Sequence, residues 1–493
     1  MESLSDILWD VVICGTGLQQ SLLALALSRS NKKILHIDPH DFYGGPDAAL
    51  SLQEAESWVA DVEAGKEPSF SSASVTKPEG TTGLSFPRAY SLALAPQLIH
   101  ARSALLEQLV SSRAYRQVEF LAVGSFFIFK PSQDFPQKPA LVRIPSTRED
   151  VFSTTAISAK AKRGLMKFLK FVLDYENSPQ IELWQSDADA PLTEFLFKQF
   201  KMDNELQTYI TTLSLSLDGK ITIKDGLAVI RRHLTSMGMY GTGFAAIYPK
   251  WGGISEIAQV SCRASAVGGA VYMLGTNIQS MKESENPIGL ELTSGDVIKT
   301  RTIVRSDYNT TDGATGTTRL VAIVNSPAKL LFETTIEGAP IPAVAVVAFP
   351  AGSLSTKRGK VSEYPVYMSV HSSDTGECPN GQSVLYLTTL ATSESQEVLN
   401  HALDSFLCAV SDDETPQCLY KLQYTHSGTS VQNPANGTIF GFAHPSTTLS
   451  FDDSTLGPVQ DAWRMVMGNE AIDAEYMKFM DREGAAEDDE TYD

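Results

Sequence analysis

Residues 9–45 read WDVVICGTGLQQSLLALALSRSNKKILHIDPHDFYGG, and the order of residue types in this stretch decides the fold. Residues 10–14 are a short apolar run rich in β-branched side chains, the composition of a parallel strand buried on both faces. Gly15, Thr16 and Gly17 supply a tight turn. Residues 21–28 form a Leu/Ala helix, apolar on most sides. Residues 33–37 are a second strand, closed by Asp38, and Gly44 and Gly45 make a second turn. Strand, glycine turn, helix, strand and acid form the βαβ unit of a dinucleotide-binding fold, and Asp38 falls where that fold places the carboxylate for a ribose hydroxyl. The fingerprint breaks at one position. The pattern G-x-G-x-x-G asks for a third glycine, and the chain has Gln20. A glutamine there puts a long polar side chain where backbone should approach pyrophosphate. The expected class is α/β: a Rossmann-type, FAD/NAD(P)-binding-like large domain whose degenerate cradle (Gly15, Gly17, Gln20, Asp38) holds no cofactor.

The rest of the composition narrows the field. A chain of 493 residues can hold two or three domains. With 43% hydrophobic and 20% charged residues it has the make-up of a soluble globular protein. A formal net charge of −19 argues against nucleic acid as a partner and against unaided binding to an anionic membrane. It suits solubility or a basic partner. Five cysteines (Cys14, Cys262, Cys378, Cys408, Cys418) form no C-x-x-C pair, so a reduced, intracellular protein without a structural metal is expected. No signal peptide precedes Asp10, no apolar run reaches spanning length, and the terminal EDDETYD has no prenylation box. The expected location is cytoplasmic.

Outward from the βαβ unit, residues 51–60 have the pattern of a short helix. Residues 61–86, rich in Ser, Thr, Gly, Pro, Lys and Glu, have the composition of a mobile surface loop. Order resumes at 87–117 with apolar periodicity through Tyr90, Leu92, Leu94, Leu98, Leu105, Leu106 and Leu109. Residues 118–130 read as strand. The pattern then turns helical: residues 160–175 carry Leu165, Phe168, Leu169, Val172 and Leu173 at helical spacing, followed by helices over 191–200, 205–217 and 221–238. This block reads as an inserted helical domain. Residues 238–253 read as a Gly- and aromatic-rich loop, 254–266 as a helix, 270–274 as a strand and 288–304 as a hairpin. Strand patterns recur at 319–324, 343–349, 366–370 and 383–390, and 394–410 is an amphipathic helix. The division expected is 1–149 and 231–486 for the large domain, 150–230 for the helical domain and 487–493 for an acidic disordered tail.

Catalytic signatures are missing: the chain has no G-x-S-x-G elbow, no H-E-x-x-H and no Walker phosphate loop. His36, on a buried strand, reads as a satisfied core histidine. Asp41, Asp47 and Glu54 read as solvated loop acids. Tyr43 reads as a turn-packing aromatic and Arg263 as a surface ion-pair partner, each with a binding role as the competing reading.

Four segments in order carry a resemblance to the Rab escort protein/Rab GDI family. GTGLQQS resembles that family's GTGL-x-x-S opening, and HIDPHDFYGG its strand–acid–aromatic–Gly–Gly box. FPRAYSLALAPQLIHARSALLEQLVSSRAYRQVEF is similar to its third box, and YPKWGGISEIAQVSCRASAVGGAVYML to its YPLYG-x-GELPQ-x-F-x-R box. LMKFLKFVLDYE resembles the escort branch's first insert helix, whereas RAYSLAL does not match the corresponding GDI segment.

The resemblance implies a non-catalytic accessory component of Rab geranylgeranyltransferase. Its implied partners are GDP-bound Rab GTPases, the transferase α/β heterodimer, the Rab's geranylgeranyl lipid and, transiently, membranes. It implies a Rab-binding platform at Tyr43, Glu256, Arg263, Val271 and Met273, and a strip for the Rab C-terminus at Leu92, Leu94 and Leu98. It implies a prenyl groove at Leu165, Leu169 and Val172, and transferase docking through an exposed Phe171, for which core packing is the other reading. The chain departs from the family at Val271, a Thr there, at Ala93, an Asp, at Met239, an Arg, and near Glu182, where escort proteins carry an arginine. Rab GDI recycling and a flavin-dependent oxidase on the same fold are the competing functions.

Overall fold

A computed structural model describes residues 4–480 apart from 79–82, 133–137, 146–157, 283–286, 307–315, 335, 412–414, 428–436 and 444–447. The expected acidic tail at 487–493 lies outside the described residues.

The chain opens with β1 (Leu8–Cys14), α1 (Leu18–Leu27) and β2 (Ile34–Ile37). All ten residues of α1 are buried, which explains its lack of a polar face. β3 (Ala49–Leu50) leads into α2 (Leu52–Glu63). Here Glu54 is no idle acid: it accepts from the Ser51 N–H at 2.7 Å while Ser51 Oγ accepts from the Glu54 N–H, a reciprocal cap. β4 (Phe70–Thr76), β5 (Leu92–Ala93), β6 (Ile99–His100), α3 (Ala104–Ser111), β7 (Phe120–Lys130) and β8 (Ala140–Arg143) follow. β4 corrects the loop expected at 61–86. Its FSSASVT sequence is polar because it is an outer strand with only Phe70 and Ala73 buried.

Four helices come next: α4 (Ala159–Leu173), α5 (Leu192–Phe200), α6 (Asn204–Leu213) and α7 (Ile223–Ser236). Ser158, Asp203 and Thr222 cap α4, α6 and α7 by accepting from backbone N–H groups. The four helices close around Phe168, Phe171, Phe195 and Phe200, and this core runs on into Phe126, Ile128, Val344 and Val346. The chain returns through β9 (Ala246–Pro249), fully buried inside the stretch expected to be loop. α8 (Ile254–Val267), β10 (Val271–Met273), β11 (Ile278–Lys282), β12 (Ile288–Leu292) and β13 (Val297–Ser306) continue it. β14 (Thr317–Val324), β15 (Val344–Phe349), β16 (Val366–Ser372), β17 (Ser383–Leu390), α9 (Ser395–Ala409), β18 (Cys418–His426), β19 (Ile439–Phe442) and α10 (Leu456–Met467) follow.

Two large sheets organise these elements. The seven-stranded sheet runs β10-β2-β1-β13-β12-β11, with β19 beside β13. β10, β2, β1, β13 and β19 are parallel, with Val12 opposite Leu35 and Ile303, while β12 and β11 turn antiparallel. α1 packs against α8 and α10 on one face. The second sheet, of ten strands, runs β4-β18-β14-β17-β16-β15-β7-β9-β6, with β8 on β7. α9 packs on β14 and β17. The α/β class with mixed sheets is the observed one.

Candidate functional site

The turn between β1 and α1 is filled by the chain's own side chains. Gly15 has φ +91°, a conformation that glycine adopts freely. A Cβ at Gly17 would lie 3.1 Å from Gln20 Oε1, so the glutamine amide lies directly against the turn. Gln20 Nε2 donates to Ser306 Oγ at 2.6 Å, which anchors it there. The Leu18 N–H, one of the free donors that a helix start offers to phosphate, donates instead to Asp47 Oδ2 at 3.1 Å. Asp38 accepts from the Thr16 N–H and Oγ at 2.6 and 2.7 Å, and from the His40 N–H at 2.8 Å. The carboxylate that a dinucleotide fold turns to a ribose therefore serves its own backbone. A dinucleotide does not fit these residues: an amide and a carboxylate stand where its phosphates belong.

Burial tunes this cluster. Asp47, fully buried, has its carboxyl pushed up to about 6 by loss of water, opposed by the Leu18 N–H and the charge of Arg319. Asp47 is thus a helix-capping acid and not the solvated one expected. His36 donates Nε2–H to the Gly15 carbonyl at 2.6 Å, and burial lowers its pKa to about 4, as a core histidine requires. Burial also works against a charge on His40. Its bonds to Asp38 at 3.0 Å and Glu67 at 2.5 Å prevail and raise it to about 10.

Beside the cradle, the edge strand β10 carries two of the expected platform residues, and the others lie after β2 and on α8. Val271 and Met273 lie one residue apart on β10 and point to one face, half-buried. Tyr272 points to the other, its ring centre 6.3 Å from that of Tyr43, which follows β2. Glu256 and Arg263 sit two turns apart on α8, the glutamate half-buried and the arginine exposed. Burial raises the Glu256 carboxyl and the Arg263 charge draws it back.

Other expected residues are elsewhere. Leu92, Leu94 and Leu98 are buried and offer no exposed strip: Leu92 and Leu94 pack against residues of β14 and β18, and Leu98 lies in the core shared with the four helices. Phe171 is 8% exposed and packs at a tilt on Phe195 and edge-on against Phe200, so the residue expected at the surface lies in the core. Leu165 and Val172 are closed into the same core, with Leu169 partly buried at its margin. Sequence reading missed an open apolar pocket of about 390 Å³, walled by Leu106, Leu109, Val110 and Phe120 from one side and Tyr240 and Phe244 from the other. Val110 on α3 stays 46% exposed at its mouth, and no sequence signal joins it to Tyr240 and Phe244. Among the described residues no cluster of His, Cys, Asp or Glu could hold a metal ion.

This architecture defines a Rossmann-type protein whose nucleotide cradle is closed from within. It is shared with an oxidoreductase from Methanosarcina mazei at TM-score 0.58 and 13% identity, over 92% of this chain and 99% of that one. A Rab GDI from Plasmodium falciparum superposes at TM-score 0.66 and 18% identity, over 94% of this chain and 99% of that one. The chain belongs to the GDP dissociation inhibitor family, whose sequence pattern matches residues 5–334. It is 31% identical to the Rab proteins geranylgeranyltransferase component A of Candida albicans over 77% of this chain, and spans 59% of that protein's length. It is 24% identical to Rab escort protein 1 of Arabidopsis thaliana, over 94% of this chain and 93% of that one.

Proposed function

We propose that the chain is a Rab escort protein. It binds GDP-bound Rab GTPases on the β10–α8 rim, presents them to the Rab geranylgeranyltransferase α/β heterodimer, and delivers the lipidated product to membranes. The observation that carries this reading is the filled cradle. In a chain of this family, the site where the fold would hold a redox cofactor is taken by Gln20 and Asp47, and the neighbouring rim of Tyr43, Glu256, Arg263, Val271 and Met273 is left for a partner. These five positions supply one arginine, a tyrosine and two apolar side chains, residue types that commonly anchor protein interfaces.

The work asked of the chain is physical. A geranylgeranyl chain in water is unfavourable by ~0.8 kcal/mol per methylene left exposed, so a carrier must cover it. The helical block supplies apolar surface around Leu165, Leu169 and Val172, and its closed core means that α4 has to shift to admit lipid. The Rab tail is taken up by the open pocket at Leu106, Leu109 and Phe120 instead of by the buried Leu92, Leu94 and Leu98. Holding the tail near the transferase raises its effective concentration there without covalent chemistry by this chain. Membrane contact is transient in this reading, and among the described residues no helix is long and apolar enough to cross a membrane.

An in vitro prenylation assay tests it. GDP-loaded Rab, the transferase heterodimer and geranylgeranyl diphosphate are combined with and without the chain, and lipid transfer is expected only with it. The family match and the likeness to the Plasmodium protein also support a second reading, a GDP dissociation inhibitor that recycles prenylated Rabs. A chain that extracts prenylated Rab from vesicles yet gives no transfer in the assay decides for that reading.

A further inference from the structure

A pocket of about 240 Å³ lies between the end of α1, the turn after α3 and the outer face of α8, and four arginines line it: Arg29, Arg113, Arg116 and Arg263. They arrive from three separate parts of the chain. Arg29 follows α1; it donates to the Met480 carbonyl at 2.6 Å and lies 5.0 Å from the centre of the Phe479 ring, so it is held on the pocket wall. Arg113 sits at φ +63°, a left-handed conformation unusual for a side-chain-bearing residue. That reversal ends α3 and starts the single turn Ala114–Gln117, which brings Arg113 and Arg116 to the same pocket. Arg263 enters from α8.

We propose that this pocket is an anion site for a phosphate group. Four arginines line one pocket in a chain whose formal net charge is −19, with the Arg116 guanidinium also 5.9 Å from the centre of the Tyr115 ring. Guanidinium forks match tetrahedral oxyanions with paired N–H donors, and they stay charged at every accessible pH. A phosphate monoester carries about −1.5 to −2 charges at neutral pH, a closer complement to this cluster than one carboxylate. The phosphate comes either free, as inorganic phosphate or pyrophosphate, or on a lipid headgroup. Arg263 also belongs to the proposed Rab platform, so phosphate and Rab draw on one guanidinium and compete. That consequence rests on the proposed function, whereas anion binding itself does not.

Calorimetry with sodium pyrophosphate on the full chain, at low and physiological salt, is the test. Saturable binding is expected, weakened about tenfold or more in the double variant Arg113→Gln/Arg116→Gln. Matching thermal midpoints establish that the variant is folded, and unchanged Rab affinity is expected of it without added phosphate. Phosphatidylcholine vesicles with and without a phosphoinositide separate the sources: retention that depends on Arg113 and Arg116 assigns the headgroup, and pyrophosphate binding without retention assigns free phosphate. Equal pyrophosphate binding by wild type and double variant, or no binding in either arm, overturns the proposal. Pyrophosphate binding by a chain that ignores Rab supports the anion site while overturning the proposed function.

Discussion

Asp47 sets the stability of the filled cradle in a pH-dependent way. Its folded pKa of about 6 lies above the ordinary 3.8, so between those values the folded state holds the proton more tightly than the unfolded chain does. Stability from this group is therefore full below pH ~4 and falls as pH rises to ~6, by about 2–3 kcal/mol at 1.36 kcal/mol per pK unit. Asp47→Asn keeps an acceptor for the Leu18 N–H without the buried charge. Urea unfolding is expected to show the variant more stable than wild type at pH 8, with the difference gone at pH 4. A gap that does not change with pH would contradict the burial argument. His40 has the same sign in a higher pH window, because its raised pKa comes from favourable bonds to the charged form and not from burial of a charge. Its charged form, raised to about 10 between Asp38 and Glu67, stabilises fully below pH ~6.5, and that contribution fades as pH climbs towards 10. His40→Gln should flatten the alkaline limb of the same stability profile.

At the scale of elements, α4 and α5 show what helical periodicity settles. On α4, Leu165, Phe168 and Val172 fall at i, i+3 and i+7 and are buried, and Phe171 flanks them on the inner side while Leu173 is half exposed. On α5, Leu192, Phe195, Leu196 and Phe200 turn inward and Phe197 is left 60% exposed. Phe171→Ala should cost about 3–5 kcal/mol in denaturant unfolding, the loss typical of a truncated core aromatic, whereas Phe197→Ala should cost little. Equal losses would place Phe171 outside the core. The same period was legible in the sequence, and the family resemblance argued against it for Phe171. The βαβ unit was legible because β1 and β2 are apolar on both faces and α1 has no polar side. β4 was not, since an outer strand with polar residues facing water looks like a loop. β9 was hidden for a different reason: four buried residues between glycine-rich turns are too few to establish a period. The proposed platform positions rest on the family boxes alone, and the open pocket on α3 needed the three-dimensional arrangement of Tyr240 and Phe244.

At the scale of the whole molecule, a nucleotide-type fold has had its cofactor cradle closed by Gln20, Asp47 and the Thr16–Asp38 pair, and the adjacent edge strand forms the surface proposed to grip another protein. The most direct measurement is the affinity of the wild type and of Arg263→Ala for GDP-loaded Rab. Arg263 is exposed on α8, so its loss should leave folding intact while weakening binding by about 1–3 kcal/mol, roughly 5- to 150-fold in Kd. A wild-type chain with no affinity for GDP-loaded Rab, or a variant that binds as tightly as wild type, would contradict the account.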